Sequence, residues 1–494
     1  MKLLKKLEES IGCWFLITIS FLFFLLRFPS LFEPDWYGDE GIYQVLGLGI
    51  NAGRLLYRDI FDNKPPLLYL VYSFVNSDLF LIRLLSLIFG LFAVLGFYFL
   101  SKRILSTQKS VFIATGVFAV LFGLPLIEGN IANAENFMLL PNIVAGILML
   151  KATEKNILNH KLILIALSGF ILGLSFLFKI VAIFDFAAFF VFILLIDFPQ
   201  KITNIFNKTY IFKEFKKLGV YTTSFLVPIL LATLFFVING SLSYFLKAVL
   251  FNNVGYVGYG NTLIIPQGFL ILKISLLLLF LFYFFIRRYL FERGAIFVSV
   301  WLSFSVFSAF FSQRPYTHYV LVLLPAFCLM IGLFSLSNKF SKLAGVLTLS
   351  TFIIVLLGFG FYAKTLFYYQ NFISFAINSK SITSYQRFFD GSTPRDYEIA
   401  NYILLHNKTN SNTFIWGNNA QVYSLIDSLP PGRYSVAYHI TNYKDGLENT
   451  KEGLKKTPPQ FIVIMPNAGR YPFSLSSYSL KINLKGVNIY EKFN

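Results

Sequence analysis

Long apolar runs separated by short basic loops constrain this chain more than any other feature of its sequence. A hydrocarbon core about 30 Å thick requires roughly 20 mostly apolar residues per helix. Eleven runs meet or approach this length: 11–28, 79–101, 110–127, 137–151, 162–178, 180–197, 218–238, 269–286, 295–311, 319–337 and 343–362. Only 13% of the residues are charged, against about 25% in soluble proteins. The sequence therefore predicts an all-α polytopic membrane protein, and it excludes a soluble enzyme, a nucleic-acid-binding protein and a disordered scaffold.

Four of these runs are irregular. The fourth has Pro141 and Asn142 near its start, and Lys179 alone separates the fifth from the sixth. The fifth and sixth therefore form either a tight hairpin or one broken helix. The first resembles a signal peptide, but it lacks a small-residue cleavage site, so we expect an uncleaved membrane anchor.

The distribution of Lys and Arg among the loops predicts the orientation in the membrane. With the N-terminus in the cytoplasm, nineteen of these residues lie in inner segments and six in outer segments. The outer six are Arg54, Arg58, Lys64, Lys179, Lys247 and Arg314. Cytoplasmic loops of membrane proteins carry such an excess. We therefore expect a multi-pass protein of the plasma (inner) membrane, and the net charge of +18 needs no nucleic-acid partner.

The composition changes after residue 362. The segments 413–417, 461–465 and 487–490 are typical of short strands, whereas 394–407 and 445–456 are typical of helices. This alternation predicts a small α/β domain, which an odd number of spans places outside the membrane. We therefore expect a membrane domain at 1–362, with the candidate site in its first outer loop at 29–78, and an extracytoplasmic α/β domain at 363–494.

Few ionisable or metal-binding side chains lie within the predicted spans. Lys179, Asp185 and Lys273 can each be placed near a helix end, so we expect snorkelling or a local pair for each. Cys13 and Cys328 both lie in apolar runs, which indicates neither a disulfide nor a thiolate metal site.

Acidic residues concentrate instead in the first outer loop. They are Glu33, Asp35, Asp39, Glu40, Asp59, Asp62 and Asp78. Long structured loops tend to be functional, and we expect two amphipathic helices here, at 39–51 and 66–75, lying in the membrane interface. No motif requires a cofactor or a metal, although the seven acidic residues leave a divalent ion open.

Two interpretations are open for Asp39, which suits both the N-cap of the first amphipathic helix and a catalytic carboxylate. Asp62 and Asn63 are likewise typical capping residues. Lys64 precedes a double proline at the membrane surface, and this position suits contact with a lipid phosphate.

Three groups of motifs follow one another along the chain. The first outer loop contributes Asp39-Glu40-Gly-Ile-Tyr43 and then Leu56-Tyr57-Arg58-Asp59-Ile-Phe-Asp62-Asn63-Lys64-Pro65-Pro66-Leu67. A later loop contributes Arg314-Pro-Tyr-Thr-His318-Tyr319 and Pro325, and the tail contributes Ile415-Trp416-Gly417, Gln421, Tyr423 and Arg433-Tyr434. In this order the set resembles the GT-C membrane glycosyltransferases. Among them it is similar to the branch shared by bacterial protein O-mannosyltransferases, aminoarabinose transferases and lipopolysaccharide galacturonosyltransferase-like proteins.

The resemblance implies a hexosyl- or pentosyltransferase that moves a sugar from a polyprenyl-phosphate donor to a lipid, glycan or protein acceptor outside the cytoplasm, with inversion. It implies that Asp39 is the catalytic carboxylate with Glu40 beside it, and that Lys64 binds the donor phosphate. Glu135, in the second outer loop, is a looser match to a second acid of related enzymes. The remaining candidates for substrate binding are Arg58, Asp62, Arg314, His318 and Tyr319.

Several points stay open at this level. Asn63 stands where some relatives have an acid, which leaves the identity of the sugar open. A hydrogen-bonded structural role for His318 and interfacial anchoring by Arg314 are also consistent with the sequence.

Two other functions fit a similar set of helices. A transporter or flippase for a lipid-linked sugar favours polar helices at the membrane midplane or a pseudo-symmetric second half, and the sequence has neither. A non-catalytic membrane subunit that binds glycan or protein through its outer domain is the other alternative. Such a subunit should tolerate Asp39→Asn, whereas the enzyme should not.

The charge asymmetry makes the topology testable. We expect a reporter fused after Asn494 to be active outside the cytoplasm. An alkaline phosphatase fusion at this position should be active, because this enzyme works outside the cytoplasm, and a green fluorescent protein fusion should be dark. A fluorescent fusion would place the C-terminus in the cytoplasm and contradict the assigned side of the candidate site.

Overall fold

The structure is a computed structural model that describes residues 2–154, 160–198, 207–253, 270–311, 316–335, 361–406 and 412–493. The helices up to the last apolar segments are α1 (Lys2–Arg27), α2 (Gly38–Asn51), α3 (Pro66–Phe74), α4 (Leu79–Ile104), α5 (Gln108–Gly123), α6 (Ala134–Ala152), α7 (Lys161–Phe176), α8 (Ala182–Asp197), α9 (Lys208–Ile238), α10 (Leu242–Leu246), α11 (Leu270–Arg287), α12 (Arg293–Phe311) and α13 (Leu324–Phe334). The helices of the tail are α14 (Phe361–Ala376), α15 (Ile382–Phe389), α16 (Thr393–His406), α17 (Gln421–Leu425), α18 (Ala437–Asn442) and α19 (Gly446–Lys456). The strands are β1 (Thr413–Trp416), β2 (Phe461–Ile464), β3 (Tyr478–Leu484) and β4 (Val487–Lys492).

The predicted apolar runs form helices wherever the structure describes them. Among the described residues, seven helical segments are long and apolar enough to cross a membrane: Ser10–Phe32, Leu79–Ile104, Ala134–Ala152, Lys208–Ile238, Leu270–Leu290, Arg293–Phe311 and Thr317–Phe334. Helices α5, α7 and α8 cover three more predicted runs but are shorter. The run at 343–362 lies outside the described residues except for its last two positions. The expectation of an all-α integral membrane protein is confirmed.

The structure shows how the fourth, fifth and sixth apolar runs fold. Helix α6 begins at Ala134 and continues through Pro141, which membrane helices tolerate where neighbouring groups satisfy the freed carbonyl. The fifth and sixth runs are two separate helices, α7 and α8, and Lys179 lies in the turn between them.

The described chain divides into two compact units that do not follow chain order. The first comprises Met1–Phe28, Leu85–Phe235 and Asn253–Leu366, and the second comprises Pro29–Leu84, Phe236–Asn252 and Phe367–Asn494. The first outer loop is thus grouped with the tail. The predicted division at 362/363 lies close to the last of these boundaries.

Close helix packing in the first unit depends on small residues. In α7, Gly169 and Gly173 are four residues apart on the face that meets α9. A Cβ atom at Gly169 would lie 2.4 Å from the carbonyl oxygen of Tyr221, and one at Gly173 would lie 2.3 Å from that of Phe225. Such small residues let helices approach each other within lipid, where no hydrophobic force drives them together.

The second unit contains the four-stranded sheet, in the order β1-β2-β4-β3. Strands β1 and β2 are parallel, with Thr413 opposite Phe461, and helices α17 to α19 connect them. Strands β3 and β4 form a hairpin through Lys485 and Gly486, whose φ angles of 51° and 84° suit a two-residue type I′ turn. The predicted α/β character of the tail is confirmed, and β3 is a strand that the sequence analysis missed.

Both amphipathic helices of the first outer loop are present, as α2 and α3. Pro66 begins α3, where its fixed φ and missing N–H fit the first helical position. Helix α2 is buried over most of its circumference, between α3 and α17, so it packs within protein. Gly41 permits this contact, because a Cβ atom there would lie 2.5 Å from the backbone nitrogen of Gln421.

Candidate active site

Asp39 lies in the first turn of α2, but it is not the N-cap residue. Tyr37 occupies the N-cap position with an extended backbone, and Gly38 is the first helical residue. A carboxylate in the first turn is still stabilised by the positive end of the helix dipole. Asp39 Oδ2 accepts a hydrogen bond of 3.0 Å from the hydroxyl of Tyr43, one helical turn further along.

Lys64 lies between two carboxylates. Its Nζ is 3.4 Å from Oδ2 of Asp39 and 3.7 Å from Oδ2 of Asp62. It also lies 4.7 Å from the centre of the Tyr43 ring, within the range of a cation–π contact. The side chain of Asp39 is 38% exposed, whereas that of Asp62 is only 4% exposed. The structure thus brings three predicted site residues together and leaves Asp39 accessible.

Two buried tyrosines fix the backbone of Lys64. The hydroxyl of Tyr57 donates to the Lys64 carbonyl oxygen at 2.7 Å, and the Lys64 N–H donates to the oxygen of Tyr69 at 3.0 Å. Tyr69 in turn donates to Asp62 Oδ2 at 2.8 Å. Burial raises the pKa of both phenols well above the ordinary value, so both keep the protons that these bonds require. Tyr57 itself adopts a φ of 68°.

Glu40 has a different environment from its neighbour. Its carboxylate is fully buried and accepts hydrogen bonds from Nη2 and Nε of Arg83, at 2.6 and 3.3 Å. Arg83 is also fully buried, and its Nη1 donates to the carbonyl oxygen of Glu33 at 2.6 Å. This geometry favours a structural role for Glu40, whose predicted place in the catalytic pair stays a prediction.

Arg58 is exposed at the edge of this loop. Its guanidinium forms two hydrogen bonds with Asp59, of 2.8 and 2.9 Å. Its side chain is 45% exposed, so Arg58 is accessible but already holds a carboxylate.

His439, in α18, is a residue of this site that the sequence analysis missed. Its Nε2 lies 3.8 Å from Oδ1 of Asp62, and both side chains are 4% exposed. Burial lowers the pKa of His439 to about 4, so the ring is neutral at physiological pH. No motif surrounds His439, and its separation from Asp62 along the chain leaves no local signal.

The other predicted residues belong to a second cluster, in the first unit. Glu135 lies in the first turn of α6, forms an ion pair with Lys179, and has Oε1 3.8 Å from Nε2 of His318. The Nδ1 of His318 lies 2.8 Å from Glu128. Lys179 also lies 4.3 Å from the centre of the Tyr319 ring. Glu135, His318 and Tyr319 are thus brought together, whereas Arg314 lies outside the described residues.

Asp185 and Lys273, the two other ionisable residues singled out from the sequence, have local partners. Asp185 accepts hydrogen bonds from Nε1 of Trp301 at 2.6 Å and from the amide of Asn142 at 3.0 Å. The ammonium of Lys273 donates to the carbonyl oxygen of Phe310. Their positions agree with the local contacts expected from the sequence.

A solved structure resembles this arrangement of helices and sheet. The crystal structure of ArnT from Cupriavidus metallidurans bound to undecaprenyl phosphate superimposes with a TM-score of 0.56 at 12% identity, covering 96% of this chain and 97% of that chain. ArnT is an aminoarabinose transferase of the GT-C superfamily. The chain has a GT-C-like fold. The predicted fold class is confirmed.

A second solved structure matches the chain less well. Archaeal oligosaccharyltransferase AglB from Archaeoglobus fulgidus, in complex with an inhibitory peptide and a dolichol-phosphate, gives a TM-score of 0.48 at 12% identity, covering 92% of this chain and 69% of that chain. No protein-family model matches the sequence, and no curated protein matches it. The fold assignment therefore depends on the structural likeness to ArnT and on the motifs.

A resident metal has no evident ligand set in the part of this GT-C-like fold that the structure describes. Within those residues, no group of three or more His, Cys, Asp or Glu side chains is arranged to hold a metal ion. The carboxylates of Asp39 and Asp62 instead both lie near the ammonium of Lys64.

The buried pair of Glu40 and Arg83 yields a stability prediction. Glu40→Gln removes the carboxylate that is hydrogen-bonded to the buried guanidinium of Arg83, so we expect the free energy of unfolding to fall by about 3–5 kcal/mol. Denaturation in mixed micelles measures the free energy of unfolding of each variant. The matched control is Glu398→Gln, because Glu398 forms an exposed pair with Lys485 and should lose about 1 kcal/mol or less. Equal losses for the two variants would contradict the assigned role of Glu40.

Proposed function

We propose that this protein is a glycosyltransferase that moves a hexose or pentose from a polyprenyl-phosphate donor to a lipid, glycan or protein acceptor at the extracytoplasmic face of the plasma membrane. The observation that carries the proposal is the accessible carboxylate of Asp39 beside the ammonium of Lys64, whose backbone is hydrogen-bonded to two tyrosines. The GT-C-like fold supports it, because ArnT, which shares this fold, was crystallised with undecaprenyl phosphate.

The arrangement suits a single displacement at the anomeric carbon. The acceptor hydroxyl loses its proton to Asp39 as its oxygen bonds to that carbon, and the bond from the carbon to the phosphate oxygen breaks. The electron pair of this bond leaves with the phosphate. A positioned carboxylate acting as general base typically contributes about 10²–10⁴-fold to such a step. This mechanism inverts the configuration and requires no metal.

Lys64 supplies the charge that the leaving phosphate needs. A cation placed where negative charge develops stabilises the transition state, and charge-assisted contacts to phosphate are strong. Because Lys64 lies near both Asp39 and Asp62, a donor phosphate would replace one of these contacts. The backbone bonds from Tyr57 and Tyr69 hold the base of the side chain while its end changes partner.

The remaining candidates keep proposed roles in substrate binding. Arg58 is accessible in the same loop, and Asp62 orients Lys64. Glu135, His318 and Tyr319 form the polar cluster of the first unit. We place the N-terminus in the cytoplasm, the membrane domain at 1–362 and the α/β domain at 363–494 outside.

The role of Asp39 is tested by Asp39→Asn. The amide still accepts from Tyr43 but cannot take a proton, so we expect turnover to fall by about 10²–10⁴-fold. Removal of a negative charge beside Lys64 should leave undecaprenyl phosphate affinity unchanged or raised. Turnover is followed as release of polyprenyl phosphate by purified protein in nanodiscs.

The matched control for this test is Asp78→Asn. Asp78 lies in the same loop and its carboxylate accepts the N–H of Leu81 at the start of α4, a role in which Asn serves almost equally well. We expect parental turnover for this control. If Asp39→Asn also keeps turnover within a few-fold, Asp39 is not the base, and a binding subunit or a flippase becomes the better account.

The role of Lys64 predicts a loss of donor binding. Loss of one charge-assisted contact is worth about 1.5–3 kcal/mol, so Lys64→Ala should weaken binding roughly 10- to 150-fold, and Lys64→Arg should keep part of it. Binding of undecaprenyl phosphate in nanodiscs measures the change. Lys247→Ala, at an exposed lysine 3.9 Å from Asp445, is the control. Unchanged affinity in a folded Lys64→Ala protein would contradict the assignment.

A further inference from the structure

The tail of the chain contributes a buried imidazole to the site around Lys64. His439 lies in α18, and its Nε2 is 3.8 Å from Oδ1 of Asp62. Asp62 presents its other oxygen, Oδ2, to the hydroxyl of Tyr69 at 2.8 Å and to the ammonium of Lys64 at 3.7 Å. The two oxygens of Asp62 therefore face different partners, and the carboxylate connects His439 with Lys64.

The surroundings of His439 are mainly aromatic. Its ring centre lies 4.4 Å from that of Tyr438, 5.4 Å from that of Phe61 and 5.6 Å from that of Tyr443, with Tyr434 at 6.4 Å. The charged groups that act on it are Asp62, Lys64 and Asp39. Burial outweighs the attraction of the two carboxylates and lowers the pKa of His439 to about 4.

A neutral imidazole carries one N–H, and the geometry indicates which nitrogen holds it. The Nδ1 atom has no hydrogen-bond partner among the described residues, whereas Nε2 faces a carboxylate. Leaving an acceptor without a partner among aromatic rings is less costly than aiming a lone pair at a negative charge. The proton is therefore assigned to Nε2.

We propose that His439 is a positioning residue of the donor site: its neutral Nε2–H orients the carboxylate of Asp62, and Asp62 in turn holds Lys64 where the donor phosphate binds. At 3.8 Å the Nε2–H is beyond ordinary hydrogen-bond length but points its positive end at one oxygen of Asp62. Because the ring is neutral, it leaves the negative charge of Asp62 available to Lys64. An imidazolium at this position would compete with Lys64 for the same carboxylate. The inference rests on the proposed function, because it takes the phosphate of a polyprenyl-phosphate sugar as the ligand of Lys64.

Two substitutions at His439 distinguish the contribution of the N–H to donor binding from the contribution of ring packing. His439→Phe keeps an aromatic ring against Phe61 and Tyr438 but removes the N–H, so we expect undecaprenyl phosphate to bind about tenfold more weakly. His439→Gln places an amide N–H near the position of Nε2 and should bind within about threefold of the parent. For both variants we expect the pH dependence of kcat to stay close to that of the parent, because the residue transfers no proton.

A double-mutant cycle with Asp62→Asn tests whether His439 acts through Asp62. In that background the additional change His439→Phe should leave undecaprenyl phosphate affinity unchanged, since the coupling is already lost. A full effect of His439→Phe in the Asp62→Asn background would overturn the proposal. Equal losses for the Phe and Gln variants, with equal falls in thermal stability, would also overturn it, because they indicate packing alone.

The tautomer can be observed directly in the unsubstituted protein. The chain has four histidines, so few imidazole ¹⁵N signals are expected, and variants at the other three assign that of His439 by elimination. We expect a neutral ring protonated at Nε2 from pH 6 to 8, whereas titration in this range would overturn the proposal. If the parent binds no undecaprenyl phosphate while the tautomer is as expected, the proposed function has failed and His439 orients Asp62 for another purpose.

Discussion

The ion pair between Arg83 and Glu40 is the interaction on which the geometry of the candidate site depends. Both side chains are fully buried, at a nitrogen–oxygen distance of 2.6 Å. A buried charge is costly unless its hydrogen bonds are satisfied, and here Arg83 also donates to the Glu33 carbonyl oxygen. The start of α2 is thereby held to the start of α4, and Asp39 is the residue that precedes Glu40.

The acidic pair in this loop thus divides into two roles. Successive residues on a helix point about 100° apart, so Asp39 and Glu40 cannot share one environment. Glu40 faces the buried guanidinium, while Asp39 remains accessible and accepts from Tyr43.

Much of the fold could be predicted from local patterns. Runs of apolar residues predicted the membrane helices, and the proline-led segment at Pro66 predicted α3. Strand β3 had a clear alternating signal, with Tyr478, Leu480, Ile482 and Leu484 separated by polar residues, and this signal was overlooked. The grouping of the first outer loop with the tail depends on contacts such as that of Gly41 with Gln421, which no local pattern encodes.

The site was only partly predictable for the same reason. Asp39 and Lys64 stood out through the resemblance and through their position before a helix or a double proline. Arg83 lies inside an apolar run and was not noticed, and Tyr57, Tyr69 and His439 carry no signature, because their roles arise only where distant segments meet.

The central claim is that this protein transfers a sugar from a polyprenyl-phosphate donor to an acceptor. Mass spectrometry of glycolipids, polysaccharides and glycoproteins from cells with and without the gene tests it most directly. We expect one sugar to disappear from one class of acceptor when the gene is absent, while its polyprenyl-phosphate form accumulates. Unchanged acceptors, with unchanged levels of every polyprenyl-phosphate sugar, would contradict it.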